Sequence, residues 1–215
     1  MAIVRFCVPG NNFTGKWVDA LLRFFNEAVS DGRYRFKYTR AEDCNIYNVR
    51  NSSLCGKVEL GPDQAPFGGE EYDYILMVDS DVLVDFRGFL SLISHDEPIV
   101  SGWYVATGGE RVCVGKKIEE RPVRITTEQL YTVEEVEGRK SLFEAGFVGL
   151  GFALIKKGVF ENIGYPWFRP LYGSIDGTIG FTTDDVGFCV LAKSIGYNIM
   201  VDPKVRVGHE KRGVL

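Results

Sequence analysis

A continuous apolar run, YILMV, ends directly at the sequence Asp79-Ser80-Asp81. An unbroken apolar strand, here predicted over residues 72–78, is typical of strands buried on both faces of an α/β sheet. Side chains two apart on extended backbone share a face. We therefore expect Asp79 and Asp81 to point the same way from the carboxyl end of the strand, with Ser80 pointing away. Open α/β sheets bind ligands at that edge.

The two carboxylates of this motif indicate a cation site. Neighbouring carboxylates raise each other's pKa unless a positive charge lies between them, and a divalent ion with oxygen ligands is the usual solution. The sequence therefore predicts a metal bound by Asp79 and Asp81. The alternative is a surface turn whose aspartates only cap the following helix.

Strand and helix patterns alternate around this motif. The run at residues 2–8 ends at Pro9-Gly10-Asn11, and Thr14 can cap an amphipathic helix that Asp31-Gly32 stops. Further elements are predicted at residues 34–39 and 99–105 (strands) and 86–94 (helix). The alternation predicts an α/β fold whose sheet is covered by helices on both faces. A chain of 215 residues, 45% hydrophobic, is long enough for one such domain.

The second half of the chain is predicted to contain hairpins, short strands and a long loop in addition to helices. The predicted elements are hairpin-like excursions at residues 110–137, a strand at 147–155, a helical turn at 156–163, a helix at 183–195 and strands at 198–201 and 204–207. Residues 164–180, rich in glycine, proline and aromatic residues, have no periodicity and are predicted to form a binding loop that closes over a ligand. His209 lies close to the end of the sequence, which suggests a domain cut from a longer protein, although a short natural chain would look the same.

A second acidic pair, Asp184-Asp185, opens the helix predicted at residues 183–195, with Thr182 or Thr183 as the N-cap. Favourable interaction with the helix dipole is one explanation for the pair. Because the pair directly follows the predicted binding loop, a carboxylate here can also act as a general base on a sugar hydroxyl or stabilise a developing cation.

The chain contains two histidines. His95 follows a predicted helix and is interpreted as a C-terminal helix residue. His209 follows the last predicted strand, where a neutral imidazole suits a divalent metal and would complete the site begun by the two aspartates.

Composition excludes several classes of function. A net charge of -4 at pH 7 gives no electrostatic footprint for nucleic acid. The five cysteines are scattered without a C-x-x-C pair, as expected of reduced thiols in a cytoplasmic protein. No secretory leader and no apolar run of about 18 residues is present, so we expect no transmembrane segment.

Four ordered motifs together resemble GT-A glycosyltransferases: VDSDV, the glycine-rich stretch at residues 146–155, TDDVGFCVLAKSIGY and the terminal V-x-V-G-H. Within this superfamily the sequence most resembles the N-terminal transferase domains of multidomain glycan-building proteins from chlorella viruses. The resemblance covers most of the chain. It implies a Rossmann-like GT-A fold with a central mixed, mostly parallel sheet, a donor-nucleotide half at about residues 1–105 and an acceptor half at about 106–215.

The resemblance implies a role for each motif. Asp81 would bind Mn²⁺ or Mg²⁺ directly, and His209 would be a further ligand of the ion. Asp79 would either reach the ion through a water molecule or bind the ribose. The residues implied at the nucleotide are Pro9, Gly10, Asn11, Arg50 and Ser80, although Arg40 or Lys57 could serve equally in place of Arg50.

On the acceptor side, the resemblance implies that Asp185 is the base of an inverting enzyme, with Asp184 beside it. Many relatives have Glu at the first position of this pair, and a retaining enzyme could use the same residues differently. Gly149 and Gly151 of the glycine-rich stretch are assigned to the sugar and acceptor. Trp103 and Trp167 offer flat faces for sugar rings, with core packing as the alternative.

The predicted activity is transfer of a hexose or deoxyhexose from a UDP-sugar to a glycan hydroxyl, in viral glycoprotein glycan synthesis. UDP is inferred by analogy, and the sugar, the acceptor and the anomeric outcome remain open. One alternative is a metal-dependent nucleotidyltransferase or phosphohydrolase, although the sequence lacks a G-x-x-x-x-G-K-[ST] loop. Another is a carbohydrate-binding or degenerate transferase domain without turnover.

Overall fold

The first half of the chain alternates strands with helices, as the sequence predicts. The computed structural model describes residues 1–106, 109–117, 127–175 and 178–210. The elements of the first half are β1 (Ala2–Pro9), α1 (Gly15–Asp31), β2 (Tyr34–Ala41), α2 (Ile46–Ser53), β3 (Tyr74–Val78), β4 (Val82–Leu83), α3 (Phe86–Ser94) and β5 (Ile99–Trp103). Short 3-10 turns at Val58–Leu60 and Pro66–Gly69 lie between α2 and β3.

The second half contains shorter strands and one longer helix. Its elements are β6 (Arg111–Gly115), β7 (Leu130–Thr132), α4 (Val133–Glu137), β8 (Phe143–Ala145), β9 (Phe147–Val148), β10 (Phe152–Lys156), α5 (Val159–Ile163), β11 (Tyr172–Ile175), β12 (Thr178–Phe181), α6 (Asp184–Ser194), β13 (Ile199–Arg206) and β14 (Gly208–His209). A 3-10 turn at Thr127–Gln129 precedes β7.

The central sheet has seven strands in the order β2-β1-β3-β10-β5-β13-β8. Strand β1 pairs parallel with β2 and β3, and β5 pairs parallel with β13. Strand β10 runs antiparallel to both β3 and β5, and β8 runs antiparallel to β13. Five strands therefore point in one direction and two in the other, which confirms the predicted mixed, mostly parallel sheet.

Strand β3 is apolar along its whole length because both faces of the sheet are covered. Ile75 and Met77 belong to one hydrophobic cluster, which includes residues of α5 and α6. Leu76 and Val78 belong to a second cluster, which includes residues of α1 and α3. All four side chains are completely buried, so the apolar run of the sequence has a direct packing explanation.

Helix α1 begins and ends where the sequence predicts. The Thr14 hydroxyl accepts a hydrogen bond from the Trp17 N–H at 3.0 Å and so caps the first turn. At the other end Gly32 has φ 71°, and its N–H donates to the Ala28 carbonyl at 3.1 Å. This left-handed conformation favours glycine, which explains the stop.

The strand predicted at residues 147–155 is wrong as a single element. Its first part, β9, pairs with β6 in a three-stranded sheet with β7, whereas its second part, β10, lies in the central sheet. Between them the N–H of Gly149 donates to the Cys113 carbonyl at 2.8 Å, and the Gly151 carbonyl accepts the N–H of Asp79 at 3.1 Å. The two glycines therefore turn the chain from one sheet into the other.

Other predictions in the second half need smaller corrections. The loop predicted at residues 164–180 contains the antiparallel pair β11–β12, with residues 176–177 outside the described structure. The last two predicted strands form one strand, β13, with a shift in register between Val201 and Arg206. The predicted excursions at residues 110–137 include the antiparallel pair β6–β7, while residues 118–126 lie outside the described part. Among the described residues, no helix combines the length and apolarity needed to cross a bilayer.

Candidate active site

The predicted site residues meet at one edge of the central sheet. The parallel strands β1, β3, β5 and β13 all end at this edge, and the reversed strand β10 begins there. This topology brings together chain segments that are far apart in sequence, including the residues after β3, the glycine turn before β10 and the histidine after β13. Ligand sites in open α/β sheets lie at this position.

The Asp79-Ser80-Asp81 segment forms a turn, and the prediction that it continues as extended backbone is wrong. The N–H of Val82 donates to the Asp79 carbonyl at 3.1 Å, which closes the turn and directs the two carboxylates to different partners. The cap of α3 is Asp85, whose side chain accepts from the Gly88 N–H at 2.8 Å. The two motif aspartates therefore do not serve as the cap of that helix.

Asp81 lies beside His209 because β4 and β14 pair antiparallel, with Val82 opposite His209. The Asp81 Oδ2 is 3.2 Å from the His209 Nε2. The other ring nitrogen, Nδ1, is 2.8 Å from the Val105 carbonyl oxygen, which can only accept a hydrogen bond. Nδ1 therefore carries a proton, and a neutral His209 directs its Nε2 lone pair towards the carboxylate.

This arrangement is chemically suited to a cation. A lone pair and a carboxylate oxygen facing each other repel unless a proton or a metal ion lies between them. A metal-binding histidine commonly donates its second N–H to a backbone carbonyl, as His209 does here. The His209 side chain is 8% exposed and that of Asp81 is 49% exposed, so the pair is fixed on one side and open to ligands on the other.

Arg50 connects the first motif aspartate to the second acidic pair. Its Nη1 lies 2.7 Å from Asp79 Oδ1, and its Nε lies 2.9 Å from Asp184 Oδ2. Burial by itself lowers the pKa of Arg50, but the two carboxylates outweigh burial and raise its pKa above the ordinary value. The guanidinium therefore stays charged and neutralises carboxylates from both halves of the chain.

The two aspartates at the start of α6 have different environments. Asp184 accepts a hydrogen bond from the Nε of Arg50. The Asp185 Oδ1 instead accepts hydrogen bonds from the Thr183 hydroxyl and from the Val186 N–H at 2.8 Å. Burial and the neighbouring charge of Asp184 raise the pKa of Asp185 to about 6. A carboxylate with a pKa near neutrality is well matched to general base catalysis.

Asp185 faces a cavity of about 270 Å³. The lining residues are Cys113, Leu130, Phe147, Gly149, Thr183, Asp184, Asp185 and Val186. Apolar side chains therefore line this cavity together with two carboxylates, an arrangement that can hold a hydroxyl compound against Asp185.

The predicted nucleotide residues also lie at this edge. Gly10, with φ 125°, approaches the motif turn so closely that a Cβ would lie 2.7 Å from the Ser80 hydroxyl oxygen. Arg40, one of the alternatives to Arg50, hydrogen-bonds to Glu42 at 2.7 Å and lies beside the Gly10 carbonyl at 3.4 Å. The segment from Pro9 to Asn11 is therefore adjacent to the Asp79–Asp81 turn.

The prediction that Trp103 and Trp167 stack on sugar rings is wrong. Trp103 is 1% exposed, and its indole N–H donates to the Pro203 carbonyl at 2.9 Å. Trp167 is completely buried, with its ring 5.2 Å from that of Tyr165. Neither ring has a face free for a sugar, so the alternative, core packing, describes both.

His95 caps the C-terminus of α3, as predicted, and pairs with Asp202 at 2.8 Å.

Tyr104 also lies at this edge and is not among the site residues predicted from the sequence. Its hydroxyl accepts a hydrogen bond from the Gly151 N–H at 3.2 Å, and its ring packs edge-on to that of His209 with centroids 4.7 Å apart. A Cβ on Gly149 or Gly151 would lie 2.3 or 2.8 Å from the Tyr104 hydroxyl oxygen. The available signal was the position of Tyr104 directly after β5, at the same edge as Asp79.

Comparisons with known proteins support the fold. No protein-family model matches the chain, and no curated protein matches it by sequence. Among solved structures, A197 from STIV has 17% identity and a TM-score of 0.53, covering 100% of this chain and 97% of A197. GalNAc-T7, solved with UDP, GalNAc and Mn²⁺, has 12% identity and a TM-score of 0.56, covering 99% of this chain and 43% of GalNAc-T7. The chain has a GT-A-like fold.

Proposed function

We propose that this chain is a metal-dependent glycosyltransferase that moves a hexose or deoxyhexose from a UDP-sugar to a hydroxyl of a glycan acceptor. The observation that carries the proposal is the meeting of three groups at one edge of the sheet. These are the Asp81–His209 pair, the Arg50 bridge and the cavity that contains Asp185. The solved neighbour GalNAc-T7 was obtained with UDP and Mn²⁺, which is consistent with this proposal.

The residues present fit a bound Mn²⁺ or Mg²⁺. Asp81 and His209 would hold the ion, and Asp79, already paired with Arg50, would act through water or on the ribose. The described part of the chain contains no cluster of three or more His, Cys, Asp or Glu suited to a metal. The remaining ligands would therefore come from the nucleotide diphosphate and water, as is usual for Mg²⁺. When bound, the ion would neutralise charge that develops on the diphosphate.

Asp185 would act as the base in an inverting reaction. Its carboxylate would take the proton of an acceptor hydroxyl held in the 270 Å³ cavity while the hydroxyl oxygen bonds to the anomeric carbon. The bond from that carbon to the diphosphate oxygen would break, and its electron pair would leave with UDP. Arg50 would hold Asp184 and Asp79 in place on either side.

The proposed function also includes a uridine site and a biological role. Pro9, Gly10, Asn11 and Ser80 would border the uridine, with support from the contact between Gly10 and Ser80. The sequence resemblance supports a role in viral glycoprotein glycan synthesis in the cytoplasm.

A donor hydrolysis assay tests this function. Purified protein is incubated with Mn²⁺ and a panel of UDP-hexoses and UDP-deoxyhexoses, and UDP release is measured with and without EDTA. We expect slow release from one donor that stops with EDTA and in Asp81→Ala. Binding of UDP without release from any donor would favour a nucleotide-sugar-binding domain, and release of inorganic phosphate would favour a phosphohydrolase.

A further inference from the structure

The Tyr104 hydroxyl has one hydrogen bond in which it is the acceptor. The side chain is 4% exposed, and its oxygen receives the Gly151 N–H at 3.2 Å. Among the described residues, no side chain or carbonyl receives the phenolic hydrogen itself. A buried donor without an acceptor is costly, and a ligand oxygen or a water is what such a group bonds.

The position of this hydroxyl lies between the two halves of the candidate site. The Tyr104 ring contacts His209, which pairs with Asp81 on the metal side. On the other side the hydroxyl fills the space where Gly149 and Gly151 lack a Cβ, and Gly149 lines the cavity that contains Asp185.

The hydroxyl is a neutral donor, because a phenol keeps its proton near neutral pH. A neutral donor fixed in a buried site stabilises an anionic oxygen without the desolvation cost that a second lysine or arginine would bring.

We propose that the Tyr104 hydroxyl donates a hydrogen bond to a terminal phosphate oxygen of the nucleoside diphosphate, and so selects diphosphate over monophosphate and stabilises the leaving group. This inference rests on the proposed function. Gly149 and Gly151 take part indirectly, because any larger residue would displace the hydroxyl from this position.

The test compares Tyr104→Phe with a matched control, Tyr72→Phe. Tyr72 is also a buried tyrosine, 3% exposed, but its hydroxyl donates to Glu161 at 2.6 Å. Affinities for UDP and for UMP are measured by calorimetry with Mn²⁺ present. We expect Tyr104→Phe to bind UDP about 10- to 100-fold more weakly while its UMP affinity changes less than about twofold. Tyr72→Phe should bind both nucleotides as the unmodified protein does.

The outcomes separate this inference from the function on which it rests. Equal weakening of UDP and UMP binding in Tyr104→Phe would mean that the tyrosine is only structural, and unchanged UDP binding would mean that it does not touch the diphosphate. Either result overturns the inference alone. If the unmodified protein binds neither nucleotide, the proposed function itself fails.

Discussion

The Nε of Arg50 lies 2.9 Å from the Oδ2 of Asp184, although the two residues are 134 positions apart in sequence. The same guanidinium holds Asp79 at 2.7 Å. Four aspartates at the sheet edge are thereby divided into two pairs. Asp79 and Asp184 are neutralised by Arg50, whereas Asp81 contacts His209 and Asp185 lines the cavity. Under the proposed function, this division would leave Asp81 for the metal and Asp185 for base catalysis.

Arg50→Ala should strongly destabilise the protein. Removal of the guanidinium leaves the buried Asp184 and the partly buried Asp79 without their partner, and breaking a buried ion pair typically costs about 3–5 kcal/mol. The free energy of unfolding is measured by urea denaturation. Arg33→Ala is the control, because Arg33 forms an exposed ion pair with Asp31 and its loss should change stability little. Similar stability of the two variants would contradict the role given to Arg50.

The pH dependence of turnover should reflect the ionisation of the Asp185 carboxyl group. Its pKa is raised to about 6, and a general base must be deprotonated to work. We expect kcat/KM to rise as pH increases through about 6 and then to level off. A rate that is independent of pH from 5 to 8 would exclude Asp185 as the base.

Asp185→Asn should lower kcat by about 10²- to 10⁴-fold, the range typical of a lost general base. The same substitution should increase the stability of the folded protein at neutral pH. A carboxyl whose pKa is raised by folding binds its proton more tightly in the folded state, so it lowers stability as pH rises from about 4 to about 6. The neutral amide should therefore raise the melting temperature at pH 7. Asp19→Asn, on the exposed surface of α1, should change neither property.

Gly151→Ala should destabilise the protein by about 1–3 kcal/mol through overpacking. The added Cβ would lie 2.8 Å from the Tyr104 hydroxyl and 2.8 Å from a methyl group of Val82. Gly15→Ala is the matched control, because no atom lies within 4 Å of the equivalent position in the first turn of α1. Thermal unfolding of both variants checks this, and an unchanged melting temperature for Gly151→Ala would contradict the close packing.

Much of the first half of the fold follows from local sequence signals. The cap at Thr14, the left-handed Gly32 and the apolar run of β3 are each fixed by neighbouring residues, and the structure has the elements in the predicted places. The division of residues 147–155 between two sheets could not be predicted. It depends on hydrogen bonds from Gly149 to Cys113 and from Asp79 to Gly151, which connect distant segments.

The same distinction applies to the site. Asp79, Asp81, Asp184 and Asp185 are recognisable because their motifs are local. Their partners are not, since the sheet topology alone brings Arg50 to Asp184 and His209 to Asp81. The burial of Trp103 and Trp167 could not be predicted, because the sequence does not reveal which faces of an aromatic side chain the core covers.

Binding of a nucleoside diphosphate is proposed to depend on a metal held by Asp81 and His209. Calorimetric titration with UDP, in Mn²⁺ and then in EDTA, tests it on the unmodified protein, Asp81→Ala, His209→Ala and the control His95→Ala. His95 pairs with Asp202 and is not part of the Asp81–His209 pair. We expect Mn²⁺-dependent UDP binding that is lost in Asp81→Ala and His209→Ala and kept in His95→Ala. UDP binding that persists unchanged in Asp81→Ala and His209→Ala would contradict it.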